Sequence, residues 1–215
     1  MTSREHPQEA VVGAAREMSA RGLTRGTSGN VSARVDAGMW VTPSAVPYPA
    51  MAPSDAVLLD LDGRPLEGRR KPTTEWPMHA AIYRARPEAG GVVHTHAPFC
   101  TTLATLRREI PPFHYMVAVA GGESIRCAPY ATFGTAELAD SAVEALLGRS
   151  ACLLANHGMV ALGASPKAAL DLATEVETLA ELYWRALQVG EPTLLTAEEM
   201  AQALERFRDY WTASQ

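Results

Sequence analysis

Apolar positions along the chain fall into two kinds of run, and the two kinds alternate from end to end. Ala10, Val11, Ala14, Ala15 and Met18 recur at helical spacing, with Pro7 near the start and Gly22 just past the end, which predicts a helix over 7–20. The same period predicts helices from about Glu75 to about Arg86, from Pro98 to Leu106, from Thr135 through Leu147, from Pro166 to Val189, and over about 197–211. Thr73 or Thr74 is expected to cap the second of these, with Glu75 in its first turn, where the helix dipole favours an anion. Ser165-Pro166 and the Thr196-to-Glu199 capping box open the last two. Short apolar runs predict strands at 31–35, 39–42, 56–61, 92–96, 126–130, 151–155 and 159–162, and Phe113 to Ala120 reads as an aromatic edge running into another. Strands and helices intermix without repeats or a linker. The expectation is an α/β fold in which residues 1–215 form a single layered domain.

Two predicted strands lead into histidines. Gly90-Gly91-Val92-Val93 runs into His94-Thr95-His96, and Ala151 to Leu154 runs into Ala155-Asn156-His157-Gly158. Side-chain alternation puts His94 and His96 on one side, roughly 6 to 7 Å apart along the backbone, with Thr95 pointing away. Two imidazoles can then converge on one ion at about 2 Å each, and His157 is the best third ligand. Three histidines with one position open is the arrangement of catalytic zinc. The competing reading is that strand-end histidines are merely hydrogen-bonded, and spacing alone does not choose between them. The loop Gly22 to Asn30 could bring backbone N–H groups to an anion, with Thr27, Ser28 and Asn30 as added donors, or could be a plain turn. The proline-rich loop from Pro43 to Pro49 offers Ser44 and nearby amides, and Thr73 and Thr74 would suit phosphate if their helix start faces the metal.

Composition narrows the classes. A 215-residue chain with 47% hydrophobic and 20% charged residues suits one large globular domain. A net charge of −5 argues against a nucleic-acid partner. Cys100, Cys127 and Cys152 lie in or beside apolar segments, none in C-x-x-C spacing, and read as reduced buried thiols. With no apolar signal core and no 18-residue apolar run, the expectation is a cytoplasmic protein without a membrane partner.

Taken together, Gly26-Thr27-Ser28-Gly29-Asn30, Thr42-Pro43-Ser44, Thr73-Thr74-Glu75-Trp76, His94-Thr95-His96 and Asn156-His157-Gly158 resemble, in this order, the class II aldolase/epimerase family of sugar phosphates. His114-Tyr115-Met116, Ala120-Gly121-Gly122 and Cys127 to Thr135 resemble its L-fuculose-phosphate aldolase branch. The resemblance covers nearly the whole chain. It implies a central, mainly antiparallel sheet flanked by helices on both faces, and a homotetramer with active sites between subunits. It also implies one Zn²⁺, or another divalent metal, held by His94, His96 and His157, with Glu75 as a further ligand at rest.

The implied reaction is reversible retro-aldol cleavage of a ketose 1-phosphate, either L-fuculose 1-phosphate or a 5-deoxypentulose 1-phosphate, to dihydroxyacetone phosphate and a small aldehyde. By resemblance Glu75 exchanges the C3 proton, and Tyr115 of a neighbouring subunit serves the alkoxide of the aldehyde half. The phosphate would lie among Gly29, Asn30, Ser44, the Ala45 amide, Thr73 and Thr74. Phe133, Phe207 and Tyr210 would shape the aldehyde pocket, although plain packing would leave the same aromatic stripe. Two departures fall on the phosphate side: Ala45 where the family usually has glycine, and Thr73-Thr74 in place of a common serine pair. The only lysines, Lys71 and Lys167, do not sit where a Schiff base would need them. Related activities to be weighed are a ribulose-phosphate 4-epimerase, a methylthioribulose-phosphate dehydratase, where an acidic residue is expected in place of Tyr115, and a non-catalytic binding or assembly member.

Overall fold

Successive residues of a strand face opposite sides of a sheet, and in this chain both sides of the central strands are apolar. In the computed structural model, which describes residues 6–213 with side chains through Arg208, strand β5 (Gly91–Thr95) sends Val93 into one buried cluster and Val92 into another. Strand β7 (Ala151–Leu154) divides Leu153 from Cys152 and Leu154 in the same way, and β8 (Gly158–Gly163) divides Met159 and Ala161 from Val160 and Leu162. Such a sheet must be covered twice. Helices α1 (Pro7–Ala20), α3 (Pro98–Thr105) and α5 (Pro166–Val189) bury Val11, Met18, Leu103 and Val176 against one face. Helices α2 (Trp76–Ala85) and α4 (Ala136–Ala145) bury Met78, Ile82, Leu138 and Ala142 against the other. Helix α6 (Ala197–Ala213) packs on the 3₁₀ helix Tyr115–Ala120 on the α5 side.

Strands β1 (Asn30–Val35), β2 (Gly38–Val41), β3 (Val57–Leu59), β4 (Pro65–Glu67) and β6 (Cys127–Ala128) complete one eight-stranded sheet in the order β4-β3-β2-β1-β5-β8-β7-β6. Every pairing is antiparallel except β6 with β7. This is the layered α/β arrangement that the sequence implied. No described helix is long and apolar enough to cross a membrane.

Local expectations fail at several places. Tyr115–Ala120 is a 3₁₀ helix, not a strand: His114 Nδ1 accepts from the Met116 amide, and Gly121 ends the turn at φ 92°. Its buried residues are Val117, Ala118 and Ala120, so the apolar run packs as one block rather than alternating. The strand expected over 126–130 shortens to Cys127–Ala128, because Pro129 has no N–H for the ladder. The strand expected over 56–61 stops at Leu59, where the Asp60 carboxylate takes the amides of Asp62 and Arg64 and turns the chain into the exposed edge strand β4. Helix α2 starts one residue later than expected, so Glu75 is its N-cap residue. Neither Thr73 nor Thr74 caps the helix with its side chain; Thr73 Oγ1 instead accepts the Glu75 amide at 3.3 Å. Cys100 and Cys152 are buried and Cys127 is half-buried, all three as free thiols.

Candidate metal centre

Strand β5 carries His94 on the face toward α2, and His96 follows just beyond the strand end. The β5–β8 register, Thr95 opposite Met159, brings the β7–β8 connection alongside, and that connection carries His157. The approach is close: a Cβ on Gly158 would lie 2.3 Å from the Thr95 carbonyl oxygen. Asn156 takes the left-handed conformation at φ 55° to make the turn. The three imidazole rings lie with centroids 4.7 to 5.0 Å apart, and one ligand nitrogen from each falls within 4.8 Å of the others. The N-cap position of α2 delivers Glu75 to the same point, with Oε2 3.3 Å from His94 Nε2 and Oε1 3.4 Å from His157 Nε2.

Hydrogen bonding decides what this cluster can hold. His94 Nδ1 lies 2.8 Å from the Met159 carbonyl oxygen, which only accepts, so Nδ1 carries the hydrogen and Nε2 faces the cluster. There it meets His96 Nε2 at 3.2 Å. Two ring nitrogens this close to each other and to a carboxylate suit a shared cation, whether a proton or a metal ion. Glu75 Oε1 and His157 Nδ1 are buried without a hydrogen-bond partner. Burial acts to raise the Glu75 pKa, but the charges of His94 and His157 and the Asn30 N–H outweigh it and hold the carboxyl well below the usual range. Burial pushes His96 and His157 down to about 4, with the His94 charge adding to the effect. Two neutral nitrogens, the His94 Nε2 and a carboxylate therefore fit a divalent metal of the borderline kind.

The cluster opens onto a cleft of roughly 420 Å³, large enough for a small metabolite. Of the expected residues, Gly29, Asn30, Ser44, Ala45, Thr73, Thr74, Glu75, Phe133, His96 and His157 line it together, and His94 lies buried behind it. Gly29 has φ 76°, and a Cβ there would meet the His94 carbonyl oxygen at 2.7 Å, so only glycine fits. Tyr48 braces the loop, its hydroxyl 2.6 Å from the Gly29 carbonyl and 2.9 Å from that of Ser28. Ser44 Oγ donates to the Pro72 carbonyl, tying the proline loop to the approach of α2. Among the described residues no lysine or arginine lines the cleft, so an anion there would meet backbone amides and hydroxyls.

Two expected residues are not brought into the cleft. Tyr115 and Phe207, their rings stacked 6.4 Å apart, line a separate groove with Met116, Ala203 and Arg206. The side chain of Tyr210 lies outside the described residues. Sequence reasoning did not assign Tyr130, Ala131 and Asn156, which line the cleft, or His79 behind it. Tyr130 and Phe133 form an exposed aromatic wall, and Arg107 Nε donates to Asn156 Oδ1 at 3.0 Å. The overlooked signal for His79 was its spacing: Glu75, His79 and Tyr83 are four residues apart and share one helix face.

Residues 9–184 match the family described as Class II Aldolase and Adducin N-terminal domain. The chain is 52% identical over 203 residues to the 5-methylthioribulose-1-phosphate/5-deoxyribulose-1-phosphate aldolase of Rhodospirillum rubrum, covering 94% of this chain and 91% of that one. It is 48% identical over 195 residues to the L-fuculose phosphate aldolase of Escherichia coli (strain K12), covering 90% of each. Among solved structures, an L-fuculose 1-phosphate aldolase superposes with a TM-score of 0.91 at 38% identity, over 96% of this chain and 98% of that chain. By sequence and by fold, the chain belongs to the class II aldolase and adducin N-terminal domain family.

Proposed function

We propose that the protein is a zinc-dependent aldolase that cleaves a 5-deoxypentulose 1-phosphate or L-fuculose 1-phosphate to dihydroxyacetone phosphate and a small aldehyde. One observation carries the reading: three imidazoles and Glu75 meet at one point on the wall of a cleft otherwise lined by neutral donors. His94, His96 and His157 would hold the ion, and zinc suits a set of three imidazole nitrogens. Bound there, it supplies the Lewis acidity that lets negative charge collect on the oxygens of the three-carbon half.

The protein's own groups do the rest. In the synthetic direction Glu75 removes the C3 proton of dihydroxyacetone phosphate, and C3 bonds to the aldehyde carbon. The new alkoxide then takes a proton from Tyr115 of a neighbouring subunit. Cleavage runs the same steps backwards, with the proton returned to C3 by Glu75. The amides and hydroxyls of Gly29, Asn30, Ser44, Ala45, Thr73 and Thr74 receive the phosphate. Tyr130, Ala131 and Phe133 offer the aldehyde half an apolar wall. A homotetramer is part of the same reading, because Tyr115 does not reach the cleft of its own chain. The test is release of dihydroxyacetone phosphate from 5-deoxyribulose 1-phosphate and L-fuculose 1-phosphate. Turnover of at least one that stops on chelation and returns with zinc supports the reading. No turnover of either by the zinc-loaded protein sinks it.

A further inference from the structure

Behind Glu75 lies a buried polar chain that no catalytic role yet explains. Strand β1 sends Asn30 and Ser32 toward α2, and α2 sends back Glu75, His79 and Tyr83. The two sets interleave. Asn30 Nδ2 donates to Glu75 Oε2 at 2.9 Å, Asn30 Oδ1 lies 2.5 Å from His79 Nε2, and Ser32 Oγ lies 2.6 Å from His79 Nδ1 and 2.8 Å from the Tyr83 hydroxyl. His79 and Ser32 are wholly buried, Tyr83 is 1% exposed and Asn30 2%.

Elementary chemistry fixes the direction of every bond. Glu75 is ionised and can only accept, so Asn30 must turn its NH₂ toward it and its carbonyl toward His79. That carbonyl also only accepts, so His79 must carry its hydrogen on Nε2. In the neutral ring Nδ1 is then bare and accepts from the Ser32 hydroxyl, while Ser32 accepts from Tyr83. An Asn30 amide without this lock could rotate and set its oxygen against the carboxylate.

Resting on the reading of Glu75 as the base, we propose that His79 is a positioning residue: its Nε2–H locks the Asn30 amide, which pins Glu75 Oε2 and leaves Oε1 as the oxygen that exchanges the C3 proton. Oε1 is the carboxylate oxygen without a hydrogen-bond partner, in agreement with that division.

Two measurements test it. In metal-free wild-type protein labelled with ¹⁵N-histidine, the His79 resonances, assigned by their loss in H79Q, should show hydrogen on Nε2 alone. Hydrogen on Nδ1, or on both nitrogens, overturns the proposal. The second measurement is solvent-deuterium exchange into dihydroxyacetone phosphate, normalised to bound metal. Glutamine can place an N–H where Nε2 stood, so H79Q should stay within about threefold of wild type, whereas the shorter H79N should lose about ten- to a hundredfold in kcat at an unchanged KM. H79N at the wild-type rate, or a folded H79Q as impaired as H79N, overturns the assignment. Should H79N fail to fold, H79Q and the wild-type spectrum still decide. Undiminished exchange in E75Q would instead remove the base reading, whatever the His79 spectrum shows.

Discussion

Ala45 sits at φ 59° on the phosphate side of the cleft, a conformation that costs an L-residue about 1–2 kcal/mol and costs glycine almost nothing. Ala45→Gly should therefore stabilise the protein by about 0.5–1 kcal/mol, since unfolded-chain entropy cancels part of the relief. It should also lower the KM for the phosphorylated ketose; denaturant unfolding and steady-state kinetics check both, and a destabilised variant would show that the loop is not strained. At the metal centre the pKa directions set a pH dependence for the metal-free protein. His96 and His157 fall to about 4 and His79 to about 3, so the unfolded chain binds more protons than the folded one below about 6.5. His94 is raised, mainly by Glu75 against the effect of burial, so its contribution is full below about 6.5 and is lost as pH rises through its folded value. Glu75 is depressed, so its contribution is present above about 4.5 and is lost in acid. Thermal unfolding of the chelated protein should thus peak near pH 6.5 and fall toward pH 4.5, where three neutral-held histidines outnumber one. A melting temperature that rises steadily as the pH falls to 4.5 would contradict these assignments.

Secondary elements place these residues, and one placement can be tested away from the cleft. The Glu177 carboxylate of α5 accepts the Phe99 and Cys100 amides at 2.8 Å each, capping α3 from across the layer. Glu177→Ala leaves two buried N–H groups unpaired and should cost about 2–3 kcal/mol. Because α3 begins just after His96, metal retention should weaken too, as atomic absorption after dialysis would show; unchanged stability would mean that water replaces the carboxylate. The elements best read from sequence were those with a clear period and punctuation, such as α5 with Ser165-Pro166 at its start, and β5 with its two valines. The His94–His96 pair was legible for the same reason, since strand alternation alone puts both rings on one side. Strand β1 is instructive in the other direction. Its alternation of Asn30, Ser32 and Arg34 with Val31, Ala33 and Val35 looks like a half-wet strand, yet Asn30 and Ser32 are buried against α2. Sequence pattern registers polarity, whereas burial of a polar face depends on a partner such as His79 that lies far along the chain. The 3₁₀ helix at 115–120 escaped for a related reason: a short apolar run does not reveal its period until it has something to pack on.

Over the whole molecule, the cleft and the Tyr115–Phe207 groove are separate surfaces of one chain, so the proposed role of Tyr115 requires a second subunit. Mixing Glu75→Gln and Tyr115→Phe subunits, each inactive alone, should regenerate about a quarter of the wild-type sites, as random mixing in a closed ring of shared interfaces requires. No recovery after verified subunit exchange would place Tyr115 outside the chemistry or within its own subunit's site. The groove carrying Tyr115 was not accessible to residue patterns, because a surface groove leaves no period of its own in the chain. The central claim, that metal and Glu75 together draw a proton from the three-carbon half, is tested most directly by exposing dihydroxyacetone phosphate to the protein in deuterium oxide with no aldehyde present. Deuterium should enter C3 stereospecifically, stop when the metal is chelated, resume with zinc, and be absent in Glu75→Gln despite bound metal. Zinc-loaded wild-type protein that leaves the C3 protons untouched would contradict the account.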